Sequence, residues 1–334
     1  MLRKIFTLLI VCSLVTISCK RNKFDVNVSK IKIDLKVNRF DNELFSINKD
    51  SIDYYIPKIE KKYGKFFQLF NYKIINIGGT ENRNYSDYLK GFLSDFTISN
   101  VYKETEKVFQ DIDDVEDDLT EAFKHYKYYF PQNNIPKIYT YISGFNQSIV
   151  TDENLLGIGL DKYFGKKNAF YERLQLPVYL RYKMDEKFIV SDCMQAWAIT
   201  EFPNNDSVDN LLSHIIYRGK IQYFIDAMLP NTPDSIKIAF KTSQLDWCNK
   251  NEKRMWIFLI ENNLLFSSDY MEIKRYTDPG PFTSGFSRES PARIGIWMGW
   301  QIVKSYMDNN NVTLKELMLN NDGQKILNQS KYKP

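Results

Sequence analysis

The chain has 334 residues, of which 43% are hydrophobic and 15% are aromatic. This composition predicts a folded globular protein and excludes a disordered chain, because it supplies enough apolar surface to form a core. The 45 basic and 41 acidic residues give a formal charge of +4, which argues against nucleic acid as a partner.

The first residues have the pattern of an export signal. Arg3 and Lys4 precede an uncharged stretch at residues 5–17, and the small residue Ser18 follows. A basic start, a short apolar stretch and a small residue before the cleavage point are typical of a signal peptide. The apolar stretch is shorter than the roughly 20 residues that a membrane-spanning helix needs. We therefore interpret residues 1–18 as a signal peptide.

Cys19 directly follows the small residue, and residues 15–19 resemble a lipobox. The peptidase for lipoproteins cuts before a cysteine whose sulfur carries a diacylglyceryl group, so Cys19 is predicted to be the lipidated first residue of the mature chain. Each buried acyl methylene contributes about 0.8 kcal/mol to membrane binding, so several acyl chains on one cysteine form a stable anchor. The alternative is an ordinary secretory signal that contains a cysteine by chance.

The mature chain is predicted to consist of a tether and one domain. Residues 19–30 are polar and rich in lysine, which is typical of a flexible lipidated tether. Residues 31–334 are long enough for a single globular domain with a large core. Within it, Cys193 and Cys248 form either a disulfide or two separate buried thiols, because spacing alone does not decide between them.

The N-terminal half predicts one strand and several helices. Apolar and polar residues alternate over residues 31–37, which predicts a half-buried strand. Residues 51–66 and 86–98 predict short helices, and residues 101–130 predict one long helix that ends before Pro131. The many acidic residues of this long helix lack the glycine turn and alternating oxygen ligands of a calcium loop, so we interpret them as a solvated face.

Strands and then helices are predicted in the remainder of the chain. Residues 137–143, 148–151 and 155–160 predict strands that are separated by turns. The predicted helices that follow cover residues 177–183, 187–202, 208–229, 234–241, 243–265, 291–308 and 313–319. The fold class is therefore predicted as α+β and helix-rich, with a small antiparallel or mixed sheet in the N-terminal half and a mainly helical C-terminal half.

The helix at residues 291–308 is predicted to be buried, because apolar residues cover nearly its whole circumference. Ser290 would cap it and Pro291 would occupy its first position. We expect Gly295 and Gly299 to allow a neighbouring helix to approach closely.

Few residues are candidates for catalysis or metal binding. No serine lies in a G-x-S-x-G elbow, and no glycine run has the spacing of a phosphate-binding loop. His125 is predicted to act as a cation near the C-terminal end of its helix. Around His214 the sequence has Ile215 and Arg218 where an H-E-x-x-H zinc motif has its glutamate and second histidine. We therefore expect no catalytic residue, no metal and no cofactor.

Two cations, Lys220 and Arg293, are predicted near the core. Charged groups near a core are usually paired, so we expect simple packing or ion pairs with Asp161 or Asp192. Contact with a ligand is the alternative.

Four runs of residues carry a family resemblance. They are IYTYISGF at residues 138–145, GIGLDKYF at 157–164, YRGKIQY at 217–223 followed by Pro230, and PARIGIWMGWQIVKSY at 291–306. In this order, and together with the lipobox, they resemble the gliding-motility lipoproteins of the GldB type from the Bacteroidota. The resemblance covers most of the mature chain.

This resemblance implies a membrane-anchored periplasmic lipoprotein that is a non-enzymatic component of the gliding-motility machinery and the linked secretion machinery. Its partners would be the membrane, through the lipid on Cys19, and other envelope proteins of gliding or secretion. The family is also distantly similar to predicted zinc peptidases, which implies a degenerate zincin-like fold. The alternative function is a hydrolase, with or without a metal, or a ligand-binding protein that uses the corresponding cleft.

The residues after the predicted anchor bear on its orientation. Residues 20–23 lack the acidic cluster that resembles a surface-export signal in lipoproteins of the Bacteroidota. We therefore expect the domain to face the periplasm, on either the inner or the outer membrane.

Overall fold

The computed structural model describes residues 22–204 and 208–334. The predicted signal peptide and Cys19 lie outside the described residues. Within the described part, the strands lie in the N-terminal half and helices make up most of the remainder, which confirms the predicted helix-rich α+β class.

The sheet is mixed. Its strands are β1 (Val37–Asn38), β2 (Lys137–Tyr141), β3 (Ile149–Asp152) and β4 (Leu155–Gly159). They are arranged in the order β1-β2-β4-β3, in which β1, β2 and β4 are parallel and β3 is antiparallel to β4. The hairpin of β3 and β4 is the predicted pair of neighbouring strands, and the parallel pairs need the long connections that the helices provide.

Helices surround the sheet on both sides. Those before β2 are α1 (Phe40–Ser46), α2 (Ile52–Tyr63), α3 (Lys65–Leu69), α4 (Tyr85–Ser94), α5 (Phe96–Val108) and α6 (Asp113–Tyr129). Those after β4 are α7 (Ala169–Arg173), α8 (Val178–Arg181), α9 (Ile189–Glu201), α10 (Leu211–Met228), α11 (Asp234–Lys237), α12 (Thr242–Glu261), α13 (Tyr270–Thr277), α14 (Ile294–Asn309), α15 (Leu314–Leu319) and α16 (Gly323–Ser330).

The two faces of the sheet belong to two cores. Successive side chains of a strand point to opposite faces, so neighbouring residues of one strand belong to different cores. Ile138 and Leu156 belong to the large core, which is formed with the C-terminal helices. Tyr139 and Leu155 belong to a smaller core, which is rich in aromatic residues of α1–α4.

The predicted strand at residues 31–37 is wrong in its length, because only Val37 and Asn38 pair with β2. The parallel register would place Pro136 opposite Leu35, and proline has no N–H group to donate. Leu35 is nevertheless buried, as is Val37 at the start of β1, so the alternating pattern reports burial of a segment that pairs with β2 only at its end.

The single long helix predicted at residues 101–130 is two helices, α5 and α6, which are separated at residues 109–112. Phe109 turns into the core, and its carbonyl oxygen accepts a hydrogen bond from Arg39 at 2.9 Å. The acidic residues that follow therefore begin a new helix, where the positive end of the helix dipole stabilises them.

The last long helix, α14, begins later than predicted. Its N-terminal cap is Arg293, which has a left-handed backbone conformation with φ 62°, and Ser290 bonds within the preceding loop. The predicted cap at Ser290 with Pro291 is therefore wrong. The predicted burial is confirmed, since most residues of α14 up to Tyr306 are shielded from solvent.

The backbones of helices α10 and α14 come into direct contact within the large core. A Cβ atom at Gly299 would overlap the carbonyl group of Ile215, and one at Gly219 would overlap the backbone of Gly299. The predicted role of Gly295 and Gly299 as packing glycines is confirmed, since a Cβ atom at Gly295 would lie 2.8 Å from the carbonyl oxygen of Tyr276. Absence of side chains at these positions is what allows the two helices to touch.

The contact at Gly299 predicts a large loss of stability on adding one methyl group. Gly299→Ala should lower the free energy of unfolding by about 3 kcal/mol or more, because backbone atoms of α10 cannot move aside without separating the helices. Chemical denaturation followed by circular dichroism measures this. Gly91→Ala is the matched control: Gly91 is in α4, exposed, with no atom near its missing Cβ, so alanine there should raise stability by about 0.5–1 kcal/mol. Equal effects of the two variants would contradict the close contact.

Candidate functional site

The described part of the predicted tether lies against the helical body. The side chain of Asn22 donates a hydrogen bond to the carbonyl oxygen of Pro230 at 2.7 Å, and the ring of Phe24 packs edge-on against Tyr223 at 5.0 Å. Val28 is buried. The apolar residues of this otherwise polar segment are Phe24, Val26 and Val28, and two of them, Phe24 and Val28, make these contacts.

The segment meets the body at one end of the main helix pair. Lys23 forms an ion pair with Asp308 at 2.6 Å, near the C-terminal end of α14, while Pro230 follows the C-terminal end of α10. The two helices run in the same direction, because Ile215 faces Gly295 and Gly299 while Gly219 faces Gly299. We call this end of the pair, where both helices terminate, the anchor end, since only residues 20 and 21 separate its first described contact from Cys19.

The opposite end of the pair carries the residues that replace the zinc motif. His214 Nε2 lies 2.7 Å from a carboxylate oxygen of Asp209, so this ring nitrogen has a hydrogen-bond partner. Ile215 is buried, and Arg218 is half-buried. In the described part of the chain, no three His, Cys, Asp or Glu side chains are arranged so that they could hold a metal ion.

The two interior cations have other partners than those predicted. Lys220 donates to the carbonyl oxygens of Met318 at 3.2 Å and Asn320 at 2.6 Å, at the C-terminal end of α15. Carbonyl groups at a helix C-terminus lack intrahelical partners and carry partial negative charge, so they attract an ammonium group. Lys220 therefore connects α10 to the last helices of the chain.

Arg293 likewise bonds to carbonyl groups, those of Ile238 at 3.0 Å and Ala239 at 3.3 Å. Burial lowers the pKa of Arg293 to about 10, and the nearby carboxylate of Asp192 opposes that shift. Ala239 has φ 54°, so both residues of this contact have left-handed backbones, which cost energy in residues other than glycine. The turn at Ala239 also explains why α11 is shorter than predicted.

The two predicted acidic partners have local roles. Asp161 accepts hydrogen bonds from the N–H group of Phe145 at 2.6 Å and from that of Ser143 at 3.2 Å, and burial raises its pKa to about 6. It therefore fixes the turn after β2. Asp192 accepts a hydrogen bond from the hydroxyl group of Tyr163 at 2.9 Å and pairs with Lys183 at 2.6 Å. The predicted pairing with Lys220 or Arg293 is therefore wrong.

A groove of about 660 Å³ lies beside Arg293, at the end of the helix pair opposite the anchor end. We call it the basic groove. Its lining includes aromatic and proline side chains and one carboxylate, Glu172, which pairs with Arg181 at 3.1 Å. The cations that line it are Lys166, Lys167, Arg181, Lys183, Lys241 and Arg293. These residues come from separate segments of the chain, so no local sequence pattern could have predicted the groove.

His125 lies in a second cleft, of about 650 Å³, that borders the anchor end. The histidine is 4% exposed and lies before the last turn of α6, and burial lowers its pKa. The structure therefore places His125 in the interior and before the last turn of its helix, where burial disfavours the predicted cation. The thiols of Cys193 and Cys248 are separate and buried, which decides between the two predicted alternatives.

Among residues 22–204 and 208–334, no helix combines the length and apolar character that membrane crossing requires. The family model described as gliding motility protein GldB matches residues 21–334. No curated protein and no solved structure matches the chain. The likeness to zinc peptidases therefore stays a prediction, whereas the family match extends over nearly the whole chain after the predicted signal peptide. The chain belongs to the GldB family of gliding-motility lipoproteins.

Proposed function

We propose that the protein is held at the periplasmic side of a membrane by acyl chains on Cys19 and serves the gliding and linked secretion machinery through protein contacts, without catalysis. The family match supports gliding motility, and the lipobox supports the anchor. The observation that carries the proposal is the packing of residues 22–28 on the helical body. With so short a connection to Cys19, the acyl chains would hold the body close to the bilayer.

The absence of catalysis is proposed from the residues on α10. A zinc peptidase uses a glutamate as general base and a second histidine as ligand. Ile215 cannot accept a proton and its side chain packs against α14, while Arg218 is a cation, which repels a metal ion instead of binding it. These replacements support a body that acts by binding.

Removing the sulfur of Cys19 tests the anchor. Cys19→Ser should block both lipidation and cleavage of the signal peptide, because a hydroxyl group is not a substrate for diacylglyceryl transfer. Immunoblotting should show the variant at the size of the precursor, and labelling of cells with palmitate should leave it unlabelled. Cys12→Ser, in the same signal segment, is the matched control and should mature and take up the label. Normal size and labelling of Cys19→Ser would contradict the proposed anchor.

Protease accessibility tests the proposed orientation. A protease added to intact cells should leave the protein uncut, and the same protease should degrade it once the outer membrane is permeabilised. The physical reason is that the outer membrane excludes the protease from the periplasm. Degradation in intact cells, with a periplasmic marker protein still intact, would place the domain on the cell surface instead.

The basic groove supports a second candidate function, binding of an anionic ligand that also has an apolar part. Cations outnumber carboxylates in its lining, and Tyr179, Tyr182 and Phe240 supply apolar surface. An acyl carboxylate combines both properties, since its tail can pack on the rings while its charge meets the cations.

Laurate is a suitable probe for this groove. The full chain carrying Cys19→Ser should bind it, and Lys166→Gln with Lys241→Gln should weaken binding about fivefold, as expected for the loss of two exposed charges. Isothermal titration calorimetry measures the affinity. The matched control is Lys250→Gln with Lys253→Gln, two exposed lysines of α12 that do not line the groove. Equal affinity of the two double variants for laurate would show that laurate does not bind in the basic groove.

A further inference from the structure

The cleft that contains His125 concentrates negative charge. We call it the acidic cleft. It lies between α6, residues 185–191 and the loop that follows α10, and it includes one cation, Lys187. Its carboxylates are Asp114, Asp118, Glu121, Asp185 and Glu186.

Buried among these groups is a histidine without a hydrogen-bond partner. His125 Nδ1 makes no hydrogen bond within the described residues, and Nε2 lies 3.8 Å from the nearest oxygen of Glu121, beyond hydrogen-bond distance. A buried polar nitrogen without a partner costs free energy, and the ring that carries it lines the cleft. Burial lowers the pKa of the ring, while the charges of Glu121 and Asp25 oppose that shift, and the neutral form that burial favours has one acceptor nitrogen.

The carboxylates of the cleft repel one another. Burial raises the pKa of Asp118, and the charges of Asp114 and Asp117 add to that effect. Burial and the charges of Asp114 and Asp185 likewise raise the pKa of Glu186. A positive charge placed among these groups would relieve the repulsion.

The cations on neighbouring elements are already engaged. Lys124 pairs with Glu121 at 3.1 Å. The ammonium group of Lys187 lies 5.3 Å from the ring centre of Phe188 and 5.9 Å from that of Tyr182. Apart from one paired glutamate, the acceptors of the cleft therefore remain available to an incoming donor.

The walls of the cleft favour an amino-acid side chain over a bare ion. Val115, Ala122, Val190, Met228 and Ile236 line it, and such surfaces pack well against the methylene stem of arginine or lysine. The carboxylates do not converge on one point, since no metal-holding group of three occurs in the part of the chain that the structure describes. A planar guanidinium group with several donors satisfies spread acceptors better than a metal ion does.

We propose that the acidic cleft binds a basic segment of a partner protein, with an arginine side chain inserted toward His125. Pro230 lines the cleft and also receives the hydrogen bond of Asn22, so the segment binds at the anchor end. The placement of the acidic cleft next to the bilayer rests on the proposed lipid anchor. The attraction between its carboxylates and a basic segment does not depend on that anchor. The partner is therefore a protein of the same membrane surface whose basic segment lies close to the lipid headgroups.

Fluorescently labelled hexa-arginine is the probe. The full chain, both lipidated in nanodiscs and as Cys19→Ser in solution, should bind it at physiological ionic strength. Asp118→Asn with Glu186→Gln should weaken binding about tenfold, because both charges face the cleft. Fluorescence anisotropy measures the affinity. Folding should survive this double substitution, since the raised pKa values show that both charges are unfavourable in the folded protein.

The matched control is Asp87→Asn with Glu289→Gln, which removes the same charge from exposed positions outside the cleft. Its affinity should stay within about twofold of the unmodified protein. Equal losses in the two double variants, or no binding at all, would overturn the proposal. So would displacement of the peptide by Mg²⁺ or spermidine at equal concentration, because the cleft would then select a small cation. Equal affinity of the lipidated protein and of Cys19→Ser would show that the cleft binds the peptide without the lipid. The binding test and the test of the lipid anchor can therefore fail separately.

Discussion

The contact between the backbones of α10 and α14 is the constraint on which the rest of the structure depends. Gly219 and Gly299 remove the side chains that would separate the helices, and Ile215 fills the space beside them. Because the helices run in the same direction, the contact also gives the body two distinct ends. A parallel pair of helices needs a long connection, which here contains α11, α12 and α13. The contact between α10 and α14 therefore determines both the packing of the large core and the two distinct ends of the body.

At the anchor end, buried charges hold the same two helices together. Asp226 of α10 accepts a hydrogen bond from Nε1 of Trp300 at 2.7 Å and pairs with Lys237 of α11 at 3.0 Å. Burial raises the pKa of Asp226, and the cations of Lys237 and Lys304 oppose that shift. Desolvating these charges costs free energy, which the hydrogen bond from Trp300 and the ion pair with Lys237 offset. One turn earlier on α10 lies Tyr223, on which Phe24 packs.

Burial within one element could be predicted from the sequence, whereas features that depend on a second element could not. The apolar circumference of α14 and the roles of Gly295 and Gly299 follow from local spacing. The break after α5 depends on Arg39, which lies far away in the chain and takes the carbonyl group of Phe109. The short β1 depends on Pro136, which directly precedes β2 and has no N–H group to donate. Both clefts also assemble from distant segments, so local patterns predicted neither.

The position of the charges relative to the anchor is the last step from fold to function. The acidic cleft borders the end where residues 22–24 meet the body, and the basic groove lies near the start of α14. A helix rises 1.5 Å per residue, so the length of α14 separates the two ends by about 22 Å. The acidic cleft therefore lies at one end of the helix pair and the basic groove at the other. This separation favours basic groups at the first end and acidic groups at the second, so the two ends differ in the charge of what they can bind.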